Sequence, residues 1–116
     1  MLDSASVTLD RYLTLVSARQ RLVASNIANA DTPGYKTKDI DFEADFRNSL
    51  TSNSRSVLPA EVSGLTNKND GNNVDLDREA RLLAENDLRF NIGSNLLRSR
   101  LKVLRMAIEG GTSSTT

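Results

Sequence analysis

From Ser4 to Ala30 the chain carries neither glycine nor proline, and Leu9, Leu13, Val16, Gln20, Val23, Ile27 and Ala30 recur there at alternating spacings of four and three. Only Gln20 interrupts the apolar line. This spacing gathers side chains on one stripe of an α-helix and is the pattern of coiled coils and long bundles. The segment therefore reads as one helix about 40 Å long at ~1.5 Å per residue. Leu15 and Leu22 lie off the stripe, seven residues apart, and predict a second face that needs a neighbour.

The same alternation returns in Leu76, Ala80, Leu83, Asp87, Phe90, Ser94, Leu97, Leu101, Leu104 and Ile108, broken by Asp87 and Ser94. Gly93 beside Ser94 weakens the helix locally by about 1 kcal/mol relative to alanine. Asn73 or Asp75 can cap this second helix, and Asp77 and Glu79 suit its positive end. Arg98, Arg100, Lys102 and Arg105 suit its negative end. Leu82, Leu88, Ile92, Leu96 and Val103 fall outside the seam, leaving more apolar surface than a two-helix hairpin covers. Leu9, Leu13, Val16, Val23, Ile27, Leu83, Phe90, Leu97, Leu101, Leu104 and Ile108 are thus candidate subunit-packing residues. A hairpin closing on itself is the other reading of the same seams.

With 116 residues there is chain for one domain. The five aromatics (Tyr12, Tyr35, Phe42, Phe46 and Phe90) are few for a globular core, which favours thin packing of Leu, Val, Ile and Ala. The expected fold is mainly α: two long terminal helices packed as an elongated coiled-coil-like hairpin around an irregular middle. Residues 1–34 form the first helix and a Pro-Gly turn, 35–74 a connector, 75–109 the second helix and 110–116 a disordered tail. Residues 51–74 are rich in Ser, Asn, Thr and Gly and bury too little to order themselves alone. In "KDIDFEADF" the alternation of acid and hydrophobe fits a short strand, while Phe42, Phe46 and Leu50 fit one helix face. The reading adopted is an extended entry followed by a short helix from about 42 to 50.

No histidine and no cysteine are present, which removes the usual neutral-pH acid–base group, thiol nucleophiles and the commonest zinc ligands. No nucleophile–base set is visible, so a non-enzymatic protein without cofactor is expected. Aligning Gly71 with the glycine of a calcium loop places Lys68 in the ligand shell, so no metal site is expected either. Formal net charge is zero and no aromatics are interleaved with the basic run, which argues against nucleic acid. Asp3 and Asp10 stand where a cleaved signal would be basic or apolar. No apolar run approaches the ~20 residues of a membrane span.

The first helix ends in "NIANADTPGYK". Pro33 disfavours the α region at Thr32, so the helix stops near Asn29–Ala30. Pro33 and Gly34 suit the centre of a type II turn, where glycine accepts positive φ. Asn26, Asn29 and Asp31 can bond backbone groups that the ended helix leaves unpaired. Asn26, Asn29, Asp31, Thr32, Pro33, Gly34 and Tyr35 are the candidate helix-stop residues.

"SNIANADTPGYK" (25–36), "KDIDF" (38–42) and "DGNNVDLDREARLLAENDLRF" (70–90) together resemble the axial proteins of the bacterial flagellum, those of the rod and hook. The short middle resembles the proximal-rod branch, because distal-rod and hook proteins insert β-rich domains there. The chain departs from the family at Phe90–Asn91, where a Tyr-Gln pair is usual, and at Gly93. The resemblance implies a structural rod subunit, exported through the flagellar type III apparatus and placed in the periplasmic part of the basal body. Implied partners are further copies of itself, FlgC, FlgF, the FliE ring and the export gate. Phe42-Glu-Ala-Asp-Phe46 matches the Phe-x-x-x-hydrophobic pattern read by that gate, as does Phe46 with Leu50; packing is the competing role. A FlgC-like subunit and a non-flagellar helical adaptor or chaperone are the alternative functions.

Overall fold

Asp3 begins the first helix: its carboxylate accepts the Ser6 N–H at 2.9 Å and caps α1, Ser4–Ala28. The computed structural model describes residues 3–51 and 57–113. After α1 come β1 (Lys38–Asp39), α2 (Phe42–Thr51), β2 (Ala60–Glu61) and α3 (Leu76–Ser113). Helix α3 runs antiparallel to α1, since Asn26 meets Glu79 at one end and Asp3 meets Arg100 at the other. The body measures 74 × 27 × 17 Å.

Helix α1 ends at Ala28 with Asn29 as its C-cap, at the edge of the expected stop near Asn29–Ala30. Thr32 O then accepts the Tyr35 N–H at 3.2 Å, closing a four-residue turn in which Gly34 has φ +75°. Helix α3 opens on Asp75, whose carboxylate accepts from the N–H groups of Asp77 and Arg78. It continues through Ser113, so residues 110–113 extend a helix where the sequence suggested the start of a disordered tail. The rest of that tail, 114–116, lies outside the described residues, as do residues 52–56 of the connector.

The connector does more than link. Arg11 donates to Ser49 O, and Arg19 reaches Asp39. Arg11, Leu15, Arg19 and Asn26 therefore form a line along α1 that the connector covers, and Leu15 is buried beneath it. This is the neighbour that the off-seam Leu15 required. Residues 38–39 pair antiparallel with 60–61, a short ladder that the composition of the middle did not suggest.

Helix α3 does not turn its apolar seam towards α1. Its inner line is Glu79, Asn86, Gly93 and Arg100, each seven residues from the next; the first three are buried. Leu97 and Leu104 are half-buried beside that line, whereas Leu83, Phe90, Leu101 and Ile108 are exposed. Leu88, Ile92, Leu96, Val103 and Met106 form a second exposed apolar stripe on the other side. On α1, Val16 and Val23 are buried, Leu9 and Leu13 half-buried, and Ile27 exposed.

Gly93 explains the inner line. A Cβ built there would lie 2.8 Å from Leu13 Cδ2 and 3.4 Å from Tyr12 Cδ2, so the helices approach as closely as a hydrogen allows. In Gly93→Ala, a helix-propensity gain of about 1 kcal/mol opposes displacement of the Leu13 methyl, and little net change is expected. Gly93→Leu has no such room. It is expected to lower stability by about 1–3 kcal/mol in thermal or urea melts through overpacking.

Candidate functional site

The residues brought together most tightly lie where the segments 25–36, 38–42 and 70–90 meet, at the closed end of the hairpin. Asn26, 1% exposed, is saturated. Its Nδ2 donates to Lys38 O at 2.9 Å and to Glu79 Oε1 at 2.6 Å. Its Oδ1 accepts from Lys38 N and from the Tyr35 hydroxyl, both at 3.1 Å. Both amide protons and both lone pairs are used, and α1, the connector and α3 meet on one side chain.

Two more asparagines continue the network. Asn73 Oδ1 accepts the Thr37 N–H at 2.7 Å, while Asn72 Nδ2 donates to Asn29 O and Thr32 O, both at 2.8 Å. Gly34 N donates to Asp70 O at 2.9 Å. Gly71, at φ +86°, sits against Gly34 so closely that its Cβ position lies 3.5 Å from the Gly34 Cα. The Pro-Gly turn and the Asp-Gly turn thus rest on each other through backbone. Lys36 Nζ donates to Gly71 O at 2.6 Å and to Asn67 Oδ1 at 2.8 Å.

Four charges lie under this layer. Arg19 grips Asp39 with two bonds of 3.1 and 3.0 Å; Arg78 donates to the same carboxylate and to Glu79, each at 2.6 Å. Glu79 is fully buried, so its helix-start carboxylate faces inward. Burial pushes the Asp39 carboxyl up. The bonds from Arg19, the Ile40 N–H and Arg78, with the Arg19 charge, outweigh it and hold Asp39 below the usual carboxylate range. For Arg78, burial favours loss of the proton, but Glu79 and Asp39 overcome it and raise its pKa. At the opposite end, hydrogen bonds from Arg100 and Ser6 hold Asp3 well below the ordinary range.

Of the candidate helix-stop residues, Asn26 and Tyr35 enter the clamp with their side chains, and Asn29, Thr32 and Gly34 with their backbones. Asn29 Nδ2 also bonds Ser25 O at 2.9 Å. Pro33 and Asp31 are exposed. Glu79 was read only as a helix-start acid, and Arg19, Asp39 and Arg78 were not singled out by sequence, because an ion pair between distant segments has no periodic signature. Phe42 and Phe46 lie elsewhere, against Tyr12, with ring centroids 5.5 and 5.8 Å away and edge-on geometry. Arg89 stands 5.1 Å over the Phe42 ring. Among the described residues no cluster of acidic side chains is arranged to hold a metal. The site's donors and acceptors are spent on holding backbone and one another, so what it does is fix geometry.

A family model described as "Flagella basal body rod protein" matches residues 13–36. The flagellar basal body rod protein FlgB of Salmonella typhimurium is 34% identical, in an alignment covering 95% of this chain and 96% of the relative. The chain belongs to the FlgB family of flagellar basal body rod proteins. FlgB of Escherichia coli is 31% identical with the same coverage, and FlgB of Borrelia hermsii 29% identical over 85% of this chain and 91% of its own. The family-model match ends at Lys36 and so spans the part of α1 and the turn that supply Arg19, Asn26, Asn29, Thr32 and Tyr35 to the clamp.

Asn26→Ala leaves the part-buried Lys38 N–H and C=O and the buried Glu79 Oε1 without their partner. It is expected to cost about 3 kcal/mol or more in urea melts, with Asn26→Asp at least as damaging because a carboxylate would face Glu79. The clamp also sets an acid limb. Because Asp39 titrates lower folded than unfolded, its contribution is fully present above its unfolded pKa of about 4 and lost as pH falls through the folded value. Asp39→Asn is expected to flatten the stability–pH curve below about pH 4, measured by melts across the acid range.

Proposed function

We propose that this chain is a non-enzymatic structural subunit of the proximal rod of the flagellar basal body, assembling through apolar faces that its own fold leaves uncovered. The observation carrying this reading is the pair of exposed stripes on α3, on either side of a polar and glycine inner line. Leu88 and Met106 are each 60% exposed, far more than a helix packed for its own chain needs. The candidate packing residues Leu83, Phe90, Leu101 and Ile108 form one stripe; Leu9, Leu13, Val16, Val23, Ile27, Leu97 and Leu104 support it from the hairpin. The relatives' names place FlgB proteins in the rod, which favours this role over a FlgC-like subunit or a helical adaptor.

On this reading the partners are further copies of the chain, FlgC, FlgF, the FliE ring and the export gate. The subunit stands in the periplasmic rod and helps transmit torque. No described helix is long and apolar enough to cross a membrane. Phe42 and Phe46 serve the export gate while the chain is unfolded and pack on Tyr12 once it has folded.

Leu101→Asp, at an exposed position, is expected to leave the melt within ~0.5 kcal/mol of the parent. It should abolish swimming and rod formation when it replaces the parent chain; normal swimming would remove Leu101 from the assembly face. Phe42→Ala is expected to lower secreted more than intracellular protein. Unchanged secretion with failed assembly would leave Phe42 a packing residue alone.

A further inference from the structure

Beside the inner line, α1 and α3 leave a groove of about 420 Å³. Its floor carries polar groups with no partner. Asn86 is 1% exposed, yet neither its Oδ1 nor its Nδ2 makes a hydrogen bond, and Gln20 Oε1 is equally bare. Buried orphans of this kind are rare in a finished structure. Turning the Asn86 amide into the groove loses no hydrogen bond, because it makes none. Asp87 stands on the α3 wall of the same groove without an ion-pair partner among the described residues, and Phe90 and Ala24 supply apolar lining. Arg21 stands on the α1 wall, so a cation is welcome on the α3 side only.

With the Gln20 and Asn86 amides turned into the groove, their two oxygens join the Asp87 carboxylate there. A lysine ammonium has three N–H donors and no acceptor, which matches that set. At the other end of the molecule, α3 passes beyond the Asp3–Arg100 contact and continues as Leu101–Ser113, about 20 Å of helix with no α1 beside it. Lys102, Val103 and Met106 share one exposed side of that overhang. A cation next to a valine and an adaptable methionine has the chemistry the groove lacks.

We propose that the groove seats the α3 overhang of a second copy of this chain, whose Lys102 donates to Gln20, Asn86 and Asp87 while Val103 and Met106 cover Phe90 and Ala24. The contact joins two different surfaces head to tail, the kind that builds an open filament rather than a closed dimer. The seat presupposes that the chain polymerises as a rod subunit. Asn86 is then a register key: a polar group that weakens the free subunit and is completed in the assembly.

The chain has no cysteine, so an introduced pair reports contact directly. Purified full-length Ala24→Cys and Met106→Cys chains, mixed and oxidised, are expected to form the mixed disulfide at least tenfold faster than an Asp31→Cys and Met106→Cys control. Adding Lys102→Glu to the overhang chain should remove the preference, and Asp87→Lys in the groove chain should restore it. Asn86→Leu should raise Tm while slowing the disulfide. A rate equal to the control, a charge exchange without effect, or a lower Tm for Asn86→Leu would each overturn the seat. If the unaltered chain restores swimming to a strain lacking it and no preferred disulfide forms, the seat fails alone. A preferred disulfide without restored swimming supports the contact between copies and removes only its place in the rod.

Discussion

The buried amide of Asn26 is the constraint on which the rest of the molecule depends. One side chain, with all four of its hydrogen-bonding positions filled, ties the last turn of α1 to the backbone at Lys38 and to Glu79 at the start of α3. An apolar contact at this point would tolerate sliding of one helix along the other. Directional bonds in a water-poor layer admit one register, because any shift strands several polar groups together. The charges beneath it follow the same logic: two arginines and two carboxylates neutralise each other, so the layer buries no net charge.

Fixing the register with polar groups decides how the apolar residues are spent. With Glu79, Asn86, Gly93 and Arg100 turned towards α1, the leucines of α3 flank the contact and face outward. Gly93 permits this by letting the backbones close on Leu13 and Tyr12. The hairpin is therefore thin and specific in itself, and its main apolar surface faces outward. A helix pair built on a leucine seam would have the opposite character, stable alone and inert outside.

The two long helices, their boundaries to within a few residues and the Pro-Gly turn were legible because glycine, proline and four–three spacing act locally. The choice of inner face on α3 was not. The seam through Leu76, Leu83 and Phe90 and the line through Glu79, Asn86 and Gly93 differ by three residues, and both repeat every seven. Hydrophobicity favours the former; close approach and paired polar groups select the latter. Gly93, which looked like a local weakness, is the residue that settles the choice. Within the site, Asn26 and Tyr35 stood out through the turn they border. Arg19, Asp39 and Arg78 did not, since their partners lie 20 and 39 residues apart in sequence. Nothing in a single window of sequence announces such a pair.

The span of the clamp has a kinetic consequence. Asn26 and Glu79 are separated by 53 residues, and Asn72 must return to the carbonyls of Asn29 and Thr32. A chain released from its N-terminus, whether from a ribosome or through a narrow channel, can close α1 on the connector alone until roughly two-thirds of it has emerged. Until then α1 lacks its antiparallel mate, and a helix of that length without one is marginal in water. Closure is thus tied to arrival of the far segment, so the molecule locks late and nearly at once.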